Sequence, residues 1–441
     1  MEPALLGAIQ AAHEIREGRL SSEELVRACL AQIDRLEETV QAWAFLDPEL
    51  AIKQAVQADQ AKRTGQRLGP LHGVPVGIKD IFDTMDMPTE DGTVLHRGRQ
   101  PLSDATVVNR LRTAGAVIMG KTVTTELAVF APAKTRNPHD PQRTPGGSSS
   151  GSAAAVAAGM VPLAVGTQTN GSMIRPASFC GIYGFKPTFG LISRHLVLQQ
   201  SRPLDQVGVF ARSIEDIAVL AEAIIGHDPN DPDTRLAATP HLLEIQAEEP
   251  PVMPKLALVK TPVWDRADES TRAAFAELAE ALGDKVAEVD LPASFNQTHE
   301  QHRIIMEADL ARSFAQEYTT GRDQLSGVLR EMIERGQREL AVDYNNAVAS
   351  IPHYNQELDK VFEWHDAIIT PATVGEAPMG LESTGSPMFC TIWTLCGMPA
   401  ITLPLLVGEQ GLPLGVQLVG PRGDDAALLR TARWLVEELN G

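Results

Sequence analysis

Basic residues are scarce in this sequence. Its 441 residues include 38 Lys and Arg against 57 Asp and Glu, which gives a formal net charge of −19. A protein that binds a polyanion needs clustered Lys and Arg to neutralise phosphates. The charge balance therefore argues against nucleic acid and against an anionic membrane surface as partners.

Long apolar runs are also missing. The alanine-rich run after Ser152 is interrupted by Gly159 and Pro162, well short of the roughly 20 apolar residues that a transmembrane helix needs. The N-terminus has an early Glu2 and no basic segment of the kind that opens a signal peptide. We therefore expect a cytoplasmic protein without a membrane span.

Cysteine is rare, with four residues in the chain. Cys29 and Cys180 are isolated, and Cys390 and Cys396 lack the Cys-x-x-Cys spacing of metal sites. We expect all four to be buried small apolar residues in a reducing compartment. Since no His, Cys, Asp and Glu cluster has metal-ligand spacing either, we expect no metal and no other cofactor.

Helix and strand periodicities alternate along most of the chain, which is typical of α/β architecture. Helices are predicted at 4–16, 22–38, 50–63, 104–114, 151–158, 213–225, 268–282, 389–395 and 424–439. Strands are predicted at 74–78, 117–122, 163–167, 255–259, 286–289, 366–370, 400–405 and 415–419. Because strands lie on both sides of a polar, mostly helical region at about 294–363, one discontinuous domain is favoured over two independent ones.

Residues 146–190 form an unusually uncharged stretch that is rich in Gly, Ser and Ala. Arg175 and Lys186 are its only charged residues. Glycine lets backbone approach closely, and successive N–H groups in such turns can point at one oxyanion. The hydroxyl groups that could supply a nucleophile here belong to Ser148, Ser149, Ser150 and Ser172.

Two familiar serine motifs fit this stretch poorly. A phosphate-binding loop needs Gly-Lys-Ser/Thr, and GGSSSGS contains no lysine. A nucleophile elbow would use Ser149 in the Gly-x-Ser-x-Gly sequence of 147–151, with His72-Gly73 upstream as an oxyanion motif. An elbow directly follows a strand, however, and residues 137–145 contain three prolines that exclude a central strand.

Lys79 ends the apolar strand within GVPVGIKD. Burial disfavours the charged form of a lysine and lowers its pKa, so that a neutral Lys79 could act as a base. The alternative is a structural lysine whose amine reaches solvent from the strand end.

Several segments together resemble the amidase signature family, whose hallmark runs from GGSSxGS to a GSxxxP turn. The matching segments extend over most of the chain and are GVPVGIKDIFDT, VIMGKTVTTELA, PGGSSSGSAAAVAAG, IRPASFCGIYGFKPT, DAIITP and GMPAITLPL. The resemblance implies a single α/β domain over 1–441, in which helices cover both faces of a mixed, twisted central sheet. The mostly helical region at about 294–363 would be an insert in that domain.

The resemblance also implies catalytic roles. Lys79 would be the general base, Ser148 the bridging serine that follows a cis peptide bond, and Ser172 the nucleophile. The oxyanion would be held by backbone N–H groups of Thr169, Asn170, Gly171 and Ser172. From their proximity in sequence to this site, the residues expected to line the substrate pocket are Thr125, Phe130 and Met173.

The turn before the nucleophile departs from the family pattern Asp-x-Gly-Gly-Ser-x-Arg-x-Pro. Gln168 replaces Asp, Asn170 replaces the first Gly, and Ile174 replaces Arg, with Arg175 one position later. If the usual Asp and Arg form a buried ion pair, the loss of both leaves neither charge unpaired, and we expect catalysis to survive. A glycine with positive φ beside an oxyanion site is sensitive to replacement, although Asn tolerates that conformation better than most residues. We expect Asn170 to adjust the substrate pocket or the oxyanion turn without abolishing activity.

The predicted activity is hydrolysis of the C–N bond of a small or medium carboxylic amide through an acyl-enzyme, without a cofactor. The same three residues could hydrolyse a carbamate or an ester. A subunit of a tRNA-dependent amidotransferase and a catalytically silent binding protein are further alternatives. The expected partner is a small-molecule amide or carbamate, and the family makes a homodimer plausible.

Overall fold

A computed structural model describes residues 2–440. Its strands are β1 Trp43–Leu46, β2 Pro75–Lys79, β3 Val117–Thr122, β4 Leu163–Gln168, β5 Tyr183–Lys186, β6 Gln206–Ala211, β7 Leu256–Val259, β8 Val286–Val289, β9 Ala367–Pro371, β10 Ala400–Val407 and β11 Pro413–Val419. They form one 11-stranded sheet in the order β1-β3-β2-β4-β6-β5-β10-β11-β9-β7-β8. Parallel and antiparallel pairs both occur, so the sheet is mixed.

The register brings several signature residues to one edge of the sheet. β2 and β4 are parallel, so Lys79 and Gln168 end their strands on the same side. β6 runs antiparallel to β4 and pairs Gln206 with Gln168. β5 in turn is antiparallel to β6, which brings Lys186 to the same side. We call this side the Lys79 edge.

The helices flank this sheet and confirm the predicted α/β class. They are α1 Ala8–Glu17, α2 Ser22–Val40, α3 Pro48–Arg63, α4 Thr106–Thr113, α5 Ser150–Ala157, α6 Ile174–Cys180, α7 Ile214–Ile224, α8 Leu242–Gln246, α9 Glu269–Leu282, α10 Thr298–Ser313, α11 Ala315–Gly321, α12 Gly327–Gly336, α13 Ala341–Phe362, α14 Thr391–Leu395 and α15 Asp425–Asn440. Within residues 2–440, no helix combines the length and the apolar character needed to cross a membrane. The predicted domain span of 1–441 includes Met1 and Gly441, which lie outside the described residues.

Several elements differ from the sequence-based predictions. The helix predicted at 4–16 is a short 3-10 turn, Pro3–Leu5, followed by α1. Strands β1, β5 and β6 and helix α6 were not predicted. β5 and β6 each contain a glycine and are buried on both faces, so the polar and apolar alternation that marks a half-exposed strand is absent.

Two apolar clusters stabilise the molecule. The larger one fills the space between the sheet and the helices of the first 282 residues and α15. The second lies beneath α10–α13 and includes Phe295, Ile305 and Leu329 from that region. Because Ala400 and Val419, at the Lys79 edge, belong to the second cluster, α10–α13 pack over that edge.

Candidate active site

Lys79, the last residue of β2, is fully buried. Its Nζ lies 2.8 Å from Ser148 Oγ and 2.8 Å from Thr167 Oγ1. Burial lowers the pKa of Lys79 well below the ordinary value, while the nearby Asp205 partly opposes the shift. A neutral amine is therefore favoured at this position, and it contacts two hydroxyl groups.

Ser148 is buried just before helix α5, and the Gly147–Ser148 peptide bond is cis. Two further hydrogen bonds hold this segment. Gly147 O accepts from Arg175 Nη2 at 2.7 Å, and Ser148 O accepts from the backbone N–H of Thr125 at 3.2 Å. The Ser148 hydroxyl is thus held in a rigid loop with its oxygen facing Lys79.

The four candidate serines differ in exposure. Ser148, Ser149 and Ser150 are buried, whereas Ser172 is partly exposed. Ser149 Oγ donates to Thr167 O at 3.2 Å, so this hydroxyl ties the start of α5 to strand β4. No strand forms over residues 137–145, and α5 begins at Ser150, so the strand required by a nucleophile elbow is missing before Ser149.

Gln168 organises the turn that carries Ser172. Its Oε1 accepts from the N–H groups of Met173 at 2.8 Å and Ile174 at 3.1 Å. Its Nε2 donates to Thr394 Oγ1 at 2.9 Å. The neutral amide therefore satisfies the first N–H groups of α6, which explains how the fold accepts Gln where the family pattern has Asp.

The turn contains no left-handed residue at 170 or 171, since neither Asn170 nor Gly171 is among the residues with positive φ. Asn170 is held by helix α14 instead. Asn170 O accepts from Thr394 Oγ1 at 2.5 Å, and Asn170 Oδ1 accepts from Thr391 Oγ1 at 2.8 Å. These two bonds keep the turn in place without a left-handed residue.

Arg175, one position after the Arg of the family pattern, is a separate charge that is fully buried and has no carboxylate partner within the described residues. Its Nη2 donates to Gly147 O and, at 3.2 Å, to Thr384 Oγ1. Within residues 2–440, its Nε and Nη1 have no hydrogen-bond partner. The Phe130 ring centre lies 6.0 Å from the guanidinium carbon, and burial lowers the pKa of Arg175 to about 10.

Three polar residues that the sequence interpretation missed also bear on the site. Thr167 is the second neighbour of the Lys79 amine. Asp205 Oδ1 accepts from Thr169 Oγ1 at 2.7 Å, and burial raises the pKa of Asp205 to about 6. His302 Nε2 donates to Thr169 O at 2.9 Å. Thr167 lies next to the signature turn, so its position in the sequence was a usable signal. Asp205 and His302 lie far from Thr169 in the sequence and belong to no motif, so no signal identified them.

A cavity of about 210 Å³ lies beside the turn, between the turn and helix α10, and Asn170 and Phe130 are among its lining residues. Thr125 is buried against the Gly147–Ser148 segment. Met173 is buried, and its side chain lies close to Gly166 and Gly208. Substrate contact by these predicted residues, and the oxyanion role of the turn, stay predictions.

Among the described residues, the cysteines form no disulfide and the metal-ligating side chains form no cluster. All four cysteines are buried, as expected, and none forms a disulfide. Burial raises the pKa of Cys390 and of Cys396 to about 12, which favours the unreactive thiol. In the part of the chain that the structure describes, no group of three or more His, Cys, Asp or Glu could hold a metal ion.

Comparison with known proteins places the chain in one family. The model of the Amidase family matches residues 24–429. A glutamyl-tRNA(Gln) amidotransferase subunit of Chloroflexus aggregans is 35% identical, and the match covers 96% of this chain and 94% of that protein. These matches extend well beyond the glycine- and serine-rich stretch.

Solved structures agree over the whole fold. A structure described as a vestigial protein complex, which reveals the evolutionary origins of an s-triazine catabolic enzyme, matches with a TM-score of 0.92 and 28% identity over 98% of both chains. The peptide amidase of Stenotrophomonas maltophilia matches with a TM-score of 0.86 and 28% identity over 99% of this chain and 98% of its own. The chain therefore belongs to the amidase signature family and is an enzyme of the amidase class.

Proposed function

We propose that this protein is a serine hydrolase that cleaves the C–N bond of a small or medium carboxylic amide through an acyl-enzyme. The observation that carries the proposal is the buried Lys79 amine, 2.8 Å from the Ser148 hydroxyl. A serine hydroxyl is a weak nucleophile until a base takes its proton. A lysine whose pKa is lowered by burial can act as that base near neutral pH.

In the proposed acylation, Ser172 Oγ attacks the amide carbonyl carbon. Its proton passes to Ser148 Oγ while the Ser148 proton passes to Lys79 Nζ. The carbonyl electron pair moves onto oxygen, where backbone N–H groups of the 169–172 turn stabilise the oxyanion. When the C–N bond breaks, the Lys79 proton returns through Ser148 to the leaving nitrogen, and an ester with Ser172 remains.

Deacylation follows the same route with water as the nucleophile. Water loses a proton through Ser148 to Lys79 and attacks the ester carbonyl. The bond between the carbonyl carbon and Ser172 Oγ then breaks, and Oγ recovers the proton from Lys79 through Ser148. The carboxylic acid leaves and the free enzyme is restored.

The same chemistry would act on carbamates or esters, because the acyl-enzyme route does not depend on which heteroatom leaves. The lining of the cavity beside Asn170 supports a compact substrate, since its volume is about 210 Å³ and its wall combines Phe130, Met306 and Met388 with polar groups. We propose small amides as the main substrates on this ground. We also propose a cytoplasmic location. On the ground of the family, we propose that the protein forms a homodimer.

A component of a tRNA-dependent amidotransferase is the second candidate, because a relative with that name is 35% identical over 96% of the chain. The net charge of −19 argues against direct contact with tRNA. The two candidates differ in whether the chain acts alone. An amidase hydrolyses amides as a purified single chain, whereas an amidotransferase component gains its activity with obligate partner chains.

The test combines labelling with a substrate panel. The purified chain and its Ser172→Ala and Ser149→Ala variants are treated with a fluorophosphonate and assayed on aliphatic amides, aryl amides, anilides and carbamates. We expect labelling and hydrolysis by the wild type and by Ser149→Ala, with both lost in Ser172→Ala. Retained activity in Ser172→Ala would overturn the assignment of the nucleophile, and an unlabelled, inactive wild type would favour a silent binding protein.

A further inference from the structure

A second and larger cavity lies under the helices that cover the Lys79 edge. Its volume is about 700 Å³, and it is lined from α10, α13, the end of α14 and the loops that follow β5 and β11. It shares no lining residue with the cavity beside Asn170. The wall residues that matter below are Phe189, Arg312, Val348, Ile351, Leu395 and Arg422.

The charge of this cavity is opposite to that of the whole chain. Arg202, Arg312 and Arg422 line it, and Asp233 is the single acidic residue among its lining residues. Asp233 is already engaged, because it forms ion pairs with Arg194 and with Arg202. The charges of Asp309 and Asp359 act on Arg312 and Arg422 respectively, but neither carboxylate lines the cavity or forms an ion pair with these arginines among the described residues.

Only part of the Arg422 guanidinium is hydrogen-bonded within the described residues. With the Asn355 amide oriented to suit both of its neighbours, its oxygen accepts from Arg422 Nη1 at 2.8 Å and its nitrogen donates to Cys396 O at 3.0 Å. Arg422 Nε is buried and has no partner within residues 2–440. The side chain as a whole is only half-buried, so the part of the guanidinium that lines the cavity can donate to an anionic oxygen.

Arg312 lines the same cavity from helix α10. Its side chain is exposed, and within the described residues it takes part in no ion pair and no side-chain hydrogen bond. Phe189, Val348, Ile351 and Leu395 form an apolar surface in the same cavity. A cavity of this size with convergent polar groups on an apolar lining is typical of small-molecule sites.

We propose that this cavity binds a small organic anion with an apolar body. Its carboxylate or phosphate group would accept hydrogen bonds from Arg312 and Arg422, and its ring or short chain would pack against Phe189, Val348 and Leu395. Carboxylate and phosphate share this chemistry, since both accept from guanidinium groups in a planar, two-bond geometry. The site does not depend on the proposed hydrolase activity, because its residues take no part in that reaction.

The test uses three probes of similar apolar size: 3-phenylpropionate, phenyl phosphate and the neutral 3-phenyl-1-propanol. Each is titrated by calorimetry at low salt into the wild type, Arg312→Gln, Arg422→Gln and the double variant. Arg67→Gln is the matched control, since Arg67 is exposed and has no ion pair among the described residues. The titrations are repeated after fluorophosphonate labelling, which fills the nucleophile site if the proposed function is correct.

We expect at least one of the two anions to bind the wild type and Arg67→Gln equally, before and after labelling, whereas the alcohol does not bind measurably. Each cavity substitution should weaken binding at least about tenfold. The tighter of the two anions identifies the preferred head group. Arg312 is exposed, so Arg312→Gln is expected to fold normally, and a thermal melt of each variant checks this.

Four outcomes would overturn the proposal. The first three are equal binding of the alcohol and the anions, unchanged affinity in the folded Arg312→Gln variant, and no binding of either anion at millimolar concentration. The fourth is loss of anion binding on labelling, which would place the ligand in the nucleophile site. Failure of the labelling itself bears only on the proposed function, and the variant comparison still decides the anion site.

Discussion

At the scale of single residues, Lys79 has the contacts of a base and the burial that keeps it neutral. Because burial lowers its pKa, the neutral fraction grows with pH and reaches completion below the ordinary lysine range. The values of kcat/KM on an amide should therefore rise with pH and level off well below about pH 10. Measurement of kcat/KM between weakly acidic and alkaline pH checks this.

Lys79→Arg tests the same residue. Arginine holds its proton more tightly than lysine, so at neutral pH the variant should lose at least about 100-fold in kcat/KM. Lys53→Arg is the control, because Lys53 is exposed, and it should behave as the wild type. A Lys79→Arg enzyme with near-normal kcat/KM would remove Lys79 from the base role.

Substitution of Arg175 should change kcat more than it changes the free energy of unfolding. Arg175→Met leaves Gly147 O without its donor, which costs about 1–3 kcal/mol. It also removes a buried cation whose Nε and Nη1 have no hydrogen-bond partner within residues 2–440, and this stabilises the fold by a similar amount. We expect the free energy of unfolding to change by less than about 2 kcal/mol, while kcat falls about tenfold as the Gly147–Ser148 segment loosens.

Urea unfolding and steady-state kinetics measure the two effects of Arg175→Met. Thr384→Val is the control, because it removes the other hydrogen bond of Arg175 and leaves the bond to Gly147 O intact. The control should keep its kcat. If Arg175→Met lost stability by several kcal/mol and Thr384→Val lost activity equally, Arg175 would not be a positioning residue for Ser148.

Sequence patterns predicted some of these residues and not others. Lys79 ends strand β2, and Ser148 lies two residues before helix α5. Both belong to the motifs that resemble the amidase signature, so their contact was predictable from the sequence. Burial of Arg175 depends on Thr384, more than 200 residues further along the chain, and no local pattern encodes that contact. The hydrogen bonds that hold Asn170 come from Thr391 and Thr394 on α14, also more than 200 residues further along the chain, and no local pattern encodes them either.

At the scale of elements, helix α10 supports the turn that carries Ser172. His302 on this helix is fully buried, and its Nε2 donates to Thr169 O at 2.9 Å. Burial lowers the pKa of His302 to about 4, so the ring is neutral at the pH of any assay near neutrality. His302 is therefore a positioning residue that acts through the turn and exchanges no proton.

His302→Ala should lower kcat about tenfold and change KM less, because the N–H groups that we propose as oxyanion donors would lose their alignment. The pH at which kcat/KM levels off should not move, since His302 does not titrate in that range. His302→Gln, which can still donate to Thr169 O, should recover part of the loss. A shift of the pH profile in His302→Ala would contradict the positioning role, and the exposed His353→Ala is the control.

Individual helices were easier to predict than the short inner strands. The capping box at the start of α2 was visible as Ser21 and Glu24, and both of its hydrogen bonds form. β5 and β6 are four and six residues long and are buried on both faces. Strands of this kind obtain their pairing from sheet neighbours, so their own sequence shows little of it.

At the scale of the whole molecule, the sheet gathers buried lysines at one edge. Lys186 ends β5 there and donates to Gln206 Oε1 at 2.5 Å, to Pro187 O at 3.2 Å and to Met398 O. The motif pieces predicted the α/β class and the region of the site, but neither the order of 11 strands nor the cover by α10–α13. Both depend on contacts between distant segments, which a single sequence does not display.

Burial lowers the pKa of Lys186 to about 7, although Asp425 opposes the shift. The unfolded chain has the ordinary lysine value of about 10.4. Between these two values the unfolded state holds more protons, so this group makes the free energy of unfolding rise with pH. Below about pH 7 both states are protonated and the slope disappears.

Lys186→Met removes this titration. The free energy of unfolding of the wild type minus that of Lys186→Met should therefore increase by up to about 1.4 kcal/mol per pH unit above about pH 7. Other groups, including Lys79, cancel in the difference. Urea unfolding of both proteins between weakly acidic pH and pH ~9 measures it, and Lys53→Met, at an exposed position, is the control substitution. A difference for Lys186→Met that is independent of pH would mean that Lys186 keeps its charge inside the fold.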